Sequence, residues 1–101
     1  MVREMDKKIV VDGNEYILIK NYRDAFELED FLSKCTDYFM DYDYIVGDIA
    51  YSKLRLKGFY DKSNKKVNKI NNYDKLDEYL KINCAPDCRY FIVKKVRENE
   101  L

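Results

Sequence analysis

The stretch that decides the fold is Tyr42–Tyr60, YDYIVGDIAYSKLRLKGFY. Its second half alternates without a break. Leu54, Leu56, Gly58 and Tyr60 share one parity, and Lys53, Arg55, Lys57 and Phe59 share the other. A period of two marks a half-buried strand, so Lys53–Tyr60 is read as a strand with its leucines in the core and its basic set facing outward. Tyr44–Ile49 is read as the preceding strand, bent or bulged at Gly47. The stretch also straddles a charge switch. Residues 21–48 hold eight acids against Arg23 and Lys34, a net of −6; residues 49–69 hold seven Lys/Arg against Asp61, a net of +6. The chain as a whole is neutral, with 19 basic and 19 acidic residues. That neutrality conceals a local basic patch able to recruit an anionic partner.

Working outward, residues 8–11 and 15–20 read as two strands around Asp12-Gly13, a pair that tolerates the positive φ of a tight hairpin turn. A helix is expected next, opened at Asn21 or by Asp24 with Glu27 in a capping box and ending near Tyr38–Met40. Its inward stripe is Ala25, Leu28, Leu32, Cys35 and Phe39, widened by Phe31 and Tyr38. After the strand pair comes a polar basic loop over residues 61–72. Asn72 then caps a second helix, Tyr73–Ile82, with Tyr73, Leu76, Tyr79 and Leu80 inward. Cys84-Ala85-Pro86-Asp87-Cys88 reads as a turn, and Tyr90–Val96 as the last strand. The order ββαββαβ predicts an α+β fold: one compact domain over residues 1–101, a mainly antiparallel sheet with two helices packed on it, and frayed ends at 1–6 and 97–101.

Composition removes several function classes. Histidine is absent, which takes away the usual general base, the Ser/His and Cys/His pairs and the commonest metal ligand. Charged residues precede the first short apolar run, and no apolar stretch approaches the ~20 residues that span a bilayer. A cytoplasmic chain without a membrane partner is expected, with Cys35, Cys84 and Cys88 as free thiols. Cys84-x-x-x-Cys88 lacks the thioredoxin-like spacing, and three thiols cannot close a four-ligand zinc site. Neither a cofactor nor a metal is expected.

Three groupings have the residue types for binding or chemistry. Lys53, Arg55, Lys57 and Phe59, followed by Lys62, Lys65, Lys66 and Lys69, are suited to phosphates or an acidic protein, with Phe59 as a ring for a base to stack on. Lys57-Gly58-Phe59-Tyr60 shares its opening with an RNA-recognition signature, but Phe59 and Tyr60 point to opposite faces, whereas that signature needs its rings on one face. Asp41, Asp43 and Asp48 would hold Mg²⁺ only if they converged. Asp48 lies inside an apolar run and needs a partner if buried, and Arg55 or Lys57 on the next strand is the obvious one. Arg23 at the strand-to-helix junction and Tyr51 beside Asp48 complete the structural candidates.

Tyr42-Asp43-Tyr44-Ile45-Val46-Gly47-Asp48, Tyr51 and Leu54–Tyr60 together resemble the YutD-like family of small bacterial proteins. Asn21-Tyr22-Arg23 and Cys84-x-x-x-Cys88 with Tyr90-Phe91 fit the same pattern. Where a Trp-Gly pair would follow Gly47-Asp48, this chain has Ile49-Ala50. The resemblance implies the fold and a Firmicutes-type bacterial source; it implies no substrate and no catalytic residues. The expected function is therefore a non-enzymatic binding module for nucleic acid or an acidic protein surface. A metal-assisted enzyme acting on a phosphorylated compound, or a homo-oligomeric adaptor, is the alternative.

Overall fold

A computed structural model describes residues 7–83 and 88–96. The elements are β1 (Lys8–Val11), β2 (Asn14–Tyr22), α1 (Leu28–Lys34), β3 (Tyr44–Ala50), β4 (Lys53–Phe59), α2 (Leu76–Asn83) and β5 (Tyr90–Lys95). The strands form one antiparallel sheet in the order β1-β2-β5-β3-β4, so β1 and β4 are its edges. The frayed ends and most of the Cys84–Cys88 turn lie outside the described residues.

The sheet is buried on both faces. On one, Ile9, Tyr16, Leu18, Ile45, Leu54, Phe91 and Val93 pack with Phe31 of α1 and with Cys35 just beyond it. On the other, Val46, Phe59 and Ile92 pack under Leu76 of α2, with Tyr44, Tyr73, Tyr79 and Leu80 around them. Tyr44 and Tyr73 stack at 3.6 Å, and Phe59 meets Tyr79 edge-on at 5.4 Å. The second helix is entered through Asn72 as expected, but its first turn is 3-10: the Asn72 side chain accepts the Asp74 N–H at the head of a 3-10 turn over Tyr73–Lys75 that leads into α2 at Leu76, and the expected stripe faces inward.

The first helix is shorter than periodicity suggested, and its face is turned. Arg23 and Asp24 both adopt left-handed backbone, at φ 58° and 56°. Asp24 therefore does not act as a helix cap, and the Asn21 carboxamide oxygen instead accepts the Phe26 N–H at 2.9 Å. The helix begins only at Leu28. This late entry rotates Phe31 into the core, where its ring meets Phe26 and Phe91, and leaves Leu28 and Leu32 exposed. A 3-10 turn at Asp37–Phe39 replaces the expected last helical turn.

Gly47 also has a different reason from the one expected. The β3–β4 and β3–β5 registers run through it without a shift. Its partner across β5 is Phe91, whose ring lies where a Cβ would be, with Cζ at 2.2 Å. The glycine makes room for a ring and does not bend the strand. The sheet's irregularity lies in β2, between Leu18 and Lys20.

Candidate functional site

The β3–β4 hairpin places Asp48 directly opposite Arg55. The Asp48 carboxylate is only 2% exposed. Arg55 grips it with both arms of its fork, Nε to Oδ1 at 2.8 Å and Nη2 to Oδ2 at 3.0 Å. The same Nη2 also donates to the Asn83 carbonyl at 2.8 Å, tying the C-terminal end of α2 to β4. A bidentate, charge-assisted pair meets the need a buried carboxylate creates. Both arms of Arg55 are thereby committed, and the fork faces Asp48 rather than an incoming phosphate.

The other basic residues of β4 separate. Lys53 is exposed at the hairpin end. Lys57 lays its Nζ 5.2 Å from the Phe59 ring centroid and 5.8 Å from that of Tyr79. Phe59 is 1% exposed and sealed under α2. The expected outward ring is therefore a core ring. Strand parity gave the correct face, but α2 covers that face, and parity cannot report what packs on a strand.

Loop 61–72 is tied down by Asp41 and Asp43, two of the three aspartates weighed above as metal ligands. Asp43 Oδ2 accepts the Asp61 N–H at 2.8 Å and the Asn64 amide at 3.0 Å. Asp41 Oδ2 accepts the Tyr60 hydroxyl at 2.7 Å and Lys66 Nζ at 2.6 Å. Asp61 holds both the N–H and the hydroxyl of Ser63, and these bonds keep its carboxyl below the usual carboxylate range. Asn64, Asn68 and Asn71 close further side-chain-to-backbone turns. Burial and the Asp41 bond push the Tyr60 phenol up. Lys62, Lys65 and Lys69 remain exposed, with no ion pair among the described residues.

The acidic and basic segments thus meet within one chain, at Asp48–Arg55 and Asp41–Lys66. The three aspartates do not converge: among the described residues no three metal-ligating side chains cluster. Neither Tyr51 nor Arg23 donates to Asp48, whose side-chain donors both come from Arg55. Tyr51 is 99% exposed at the hairpin tip, and it and Ser52 adopt φ of 53° and 63°. Arg23 lies in the left-handed pair ahead of α1. There Arg89 donates to the carbonyls of Arg23 and Asp24, at 3.2 and 2.9 Å.

The cysteines need one correction. Cys88 is disulfide-bonded, and Cys84 lies outside the described residues. The expectation of free thiols came from compartment chemistry, which says nothing of which sulfurs the fold brings together. Cys35 is free and buried, and burial together with the Asp12 charge pushes its thiol up to about 11.

Among the described residues, cavities flank β4 on more than one side. One, of about 420 Å³, is lined by Glu27, Asp30, Ser52, Leu54 and the already committed Arg89. Another, of about 360 Å³, follows the outer side of β4 from Arg55 to Gly58, between Tyr38, Phe39 and Tyr42 on one side and Tyr79 on the other. Sequence reading missed this second cavity, because it depends on β4 being an edge and strand order is not written in any single strand.

The family model described as "Putative antitoxin YutD-like" matches residues 10–94. The chain belongs to the YutD-like family. A Bacillus subtilis (strain 168) relative named "Putative antitoxin YutD" is 40% identical over 90 residues, covering 89% of this chain and 99% of the relative. The solution NMR structure of protein YutD from B. subtilis matches with a TM-score of 0.77 at 38% identity, over 95% of this chain and 87% of that one. The family fingerprint in Tyr42–Tyr60 is largely structural: Gly47 and Gly58 admit the Phe91 and Tyr42 rings, and Asp48 and Arg55 lock the hairpin.

Proposed function

We propose that this protein is a non-enzymatic binding module whose partner is a protein with an acidic surface, engaged on the side formed by β4 and loop 61–69. The observation that carries this reading is the loop itself. Its backbone is pinned by Asp43 and by its own Asx-type turns, Asp41 holds the Lys66 side chain, and Lys62, Lys65 and Lys69 stay exposed. A cation set fixed before encounter loses little freedom on binding, and it steers an acidic partner. A protein is favoured over nucleic acid because Phe59, the ring a base would stack on, is buried. The relatives' name also supports it: an antitoxin that acts by contact needs a surface for its toxin. A cytoplasmic setting is part of the proposal; among the described residues no helix is long and apolar enough to cross a membrane.

The metal-assisted alternative needs a second carboxylate sharing an ion with Asp48. Among the described residues Asp48 faces Arg55 instead.

The test is affinity capture from a native lysate, with and without nuclease, using wild type and the triple variant Lys62→Glu, Lys65→Glu, Lys69→Glu. The reading expects an acidic protein, identified by mass spectrometry, that survives nuclease, weakens with salt and is lost with the triple variant. Capture that nuclease abolishes would instead favour nucleic acid.

A further inference from the structure

Among the described residues the outer edge of β4 is unpaired from Leu54 to Gly58, the next outward-facing residue, Tyr60, being already paired with Asn71 and Tyr73, and its hydrogen-bonding groups can be assigned. Ile49 N–H donates to the Arg89 carbonyl and Lys95 N–H to the Asp43 carbonyl, so the odd-numbered residues of β3 bond to β5. The even-numbered residues Tyr44, Val46, Asp48 and Ala50 therefore bond to β4, at Phe59, Lys57, Arg55 and Lys53. This leaves the N–H and C=O groups of Leu54, Leu56 and Gly58 facing away from β3. No hydrogen bond reaches them among the described residues, and the 360 Å³ cavity runs along this edge at Arg55–Gly58.

An open edge is a template for another strand. Lys53, Arg55 and Lys57 guard β4 against a like-charged strand, and Asn71–Tyr73 closes the edge just beyond it at Tyr60, but over Leu54–Gly58 the strand is regular in register and free of proline. The side chains beside the edge define what fits. On one face a docked strand would lie next to the ammonium groups of Lys53 and Lys57, with Arg55 between them held on Asp48. On the other it would lie next to Leu56 and the rings of Tyr38, Phe39 and Tyr42. Because successive side chains alternate between faces, the matching sequence alternates acidic and apolar residues. A second copy of β4 fits badly, since it would set Lys and Arg against Lys and Arg, and like charges opposed across a strand pair are destabilising.

We infer that the outer edge of β4 binds an extended segment of alternating acidic and apolar residues from a partner protein, as an added sixth strand. This inference rests on the binding reading above and gives that reading its mode of contact.

The probe is a capped octapeptide alternating Glu and Val, at low salt and pH 7, with a Lys/Val octapeptide as counterpart. The measurement is amide hydrogen exchange by NMR. Near saturation, the Leu56 and Gly58 amides are expected to slow at least tenfold with the Glu/Val peptide and to remain unchanged with the Lys/Val peptide. Leu56→Pro removes an N–H that bonds nothing in the free fold and should weaken the peptide at least tenfold. Val10→Pro, on the opposite edge, should not. If Leu56→Pro does not fold, the wild-type exchange map decides alone.

Unchanged exchange at Leu56 and Gly58, with shifts confined to residues 62–69, would overturn this inference and leave the proposed function standing. Equal protection by both peptides would overturn the choice of occupant. Protection that rises with protein concentration and no peptide would assign the edge to a second copy and overturn it too. Silence toward both peptides would also overturn it, and the lysate capture then judges the broader reading separately.

Discussion

The sheet is bounded on one side by the β1–β2 hairpin and on the other by β3–β4, and both turn through two residues of positive φ. In the first they are Asp12 and Gly13, at 49° and 81°; in the second they are Tyr51 and Ser52, at 53° and 63°. Each hairpin also carries an ion pair linking its strands. Lys8–Glu15 lies open to water, with side chains 61% and 37% exposed, while Arg55–Asp48 sets a half-exposed guanidinium on a carboxylate 2% exposed. The β1 edge is four residues long and the β4 edge seven. The first hairpin is thus built from residues suited to its turn, with an ion pair that does little. The second strains its turn and relies on a buried pair to hold a long, open edge. The lesson is that the longer edge strand is the one with the buried internal anchor.

The sharpest way to break this contrast is Arg55→Ala. It strips both donors from a buried carboxylate and also loses the Asn83 tie. Removing one partner of a buried pair costs about 3–5 kcal/mol, and water reaching the vacated half-exposed site puts this case near about 3. Urea unfolding measures it; a loss under about 1 kcal/mol would place the two ion pairs in the same class. Lys8→Ala should cost no more than about 0.5 kcal/mol in the same assay.

Gly47→Ala comes next. Its Cβ meets the Phe91 ring, and overpacking of this kind costs about 1–3 kcal/mol. Phe91→Leu beside it should relieve part of that loss. Gly13→Ala is governed by backbone angle alone, since open space surrounds it, and no ring substitution should rescue it.

On the alkaline side, Cys35, Tyr42 and Tyr73 all hold their protons more tightly when folded. The values are about 11, about 12 and about 12, against ordinary values of 9.0, 10.0 and 10.0. The causes are burial for Cys35 and Tyr73, and the Tyr38 hydroxyl bond first for Tyr42. With raised folded values, the stabilisation is complete below pH 9 and lost as pH rises toward the folded values. The melting temperature should fall by on the order of 15 °C between pH 8.5 and 10.5. A flat profile would contradict the burial of Cys35 and Tyr73 and the Tyr38–Tyr42 bond.

A stabilising change sharpens the turn comparison. Ser52→Gly removes the penalty of a left-handed non-glycine residue and should stabilise by about 1 kcal/mol.

Much of this fold could be read from local pattern. Asp12-Gly13 announced its hairpin, the alternation of Lys53–Tyr60 announced β4, and Asn72 announced α2, because each signal depends only on near neighbours in sequence. The Arg55–Asp48 pair was also within reach, since a carboxylate in an apolar run requires a cation close by. What local pattern did not carry was anything set by the other side of the sheet. Phe59's cover comes from α2, Gly47's purpose from Phe91, and the anchoring of the basic loop from Asp41 and Asp43 some twenty residues away. Tyr51-Ser52 carries no turn signal, because neither residue favours the angle it adopts. The open edge required strand order, which emerges only when all five strands are placed.

The most direct test of that edge is hydrogen exchange along β4 in the protein alone, at low concentration. The account predicts alternation: fast exchange at Leu54, Leu56 and Gly58, whose amides face outward, and slow exchange at Arg55, Lys57 and Phe59, which bond to β3. Protection at Leu56 and Gly58 equal to that at Arg55 would mean the edge is already covered, and would contradict the account.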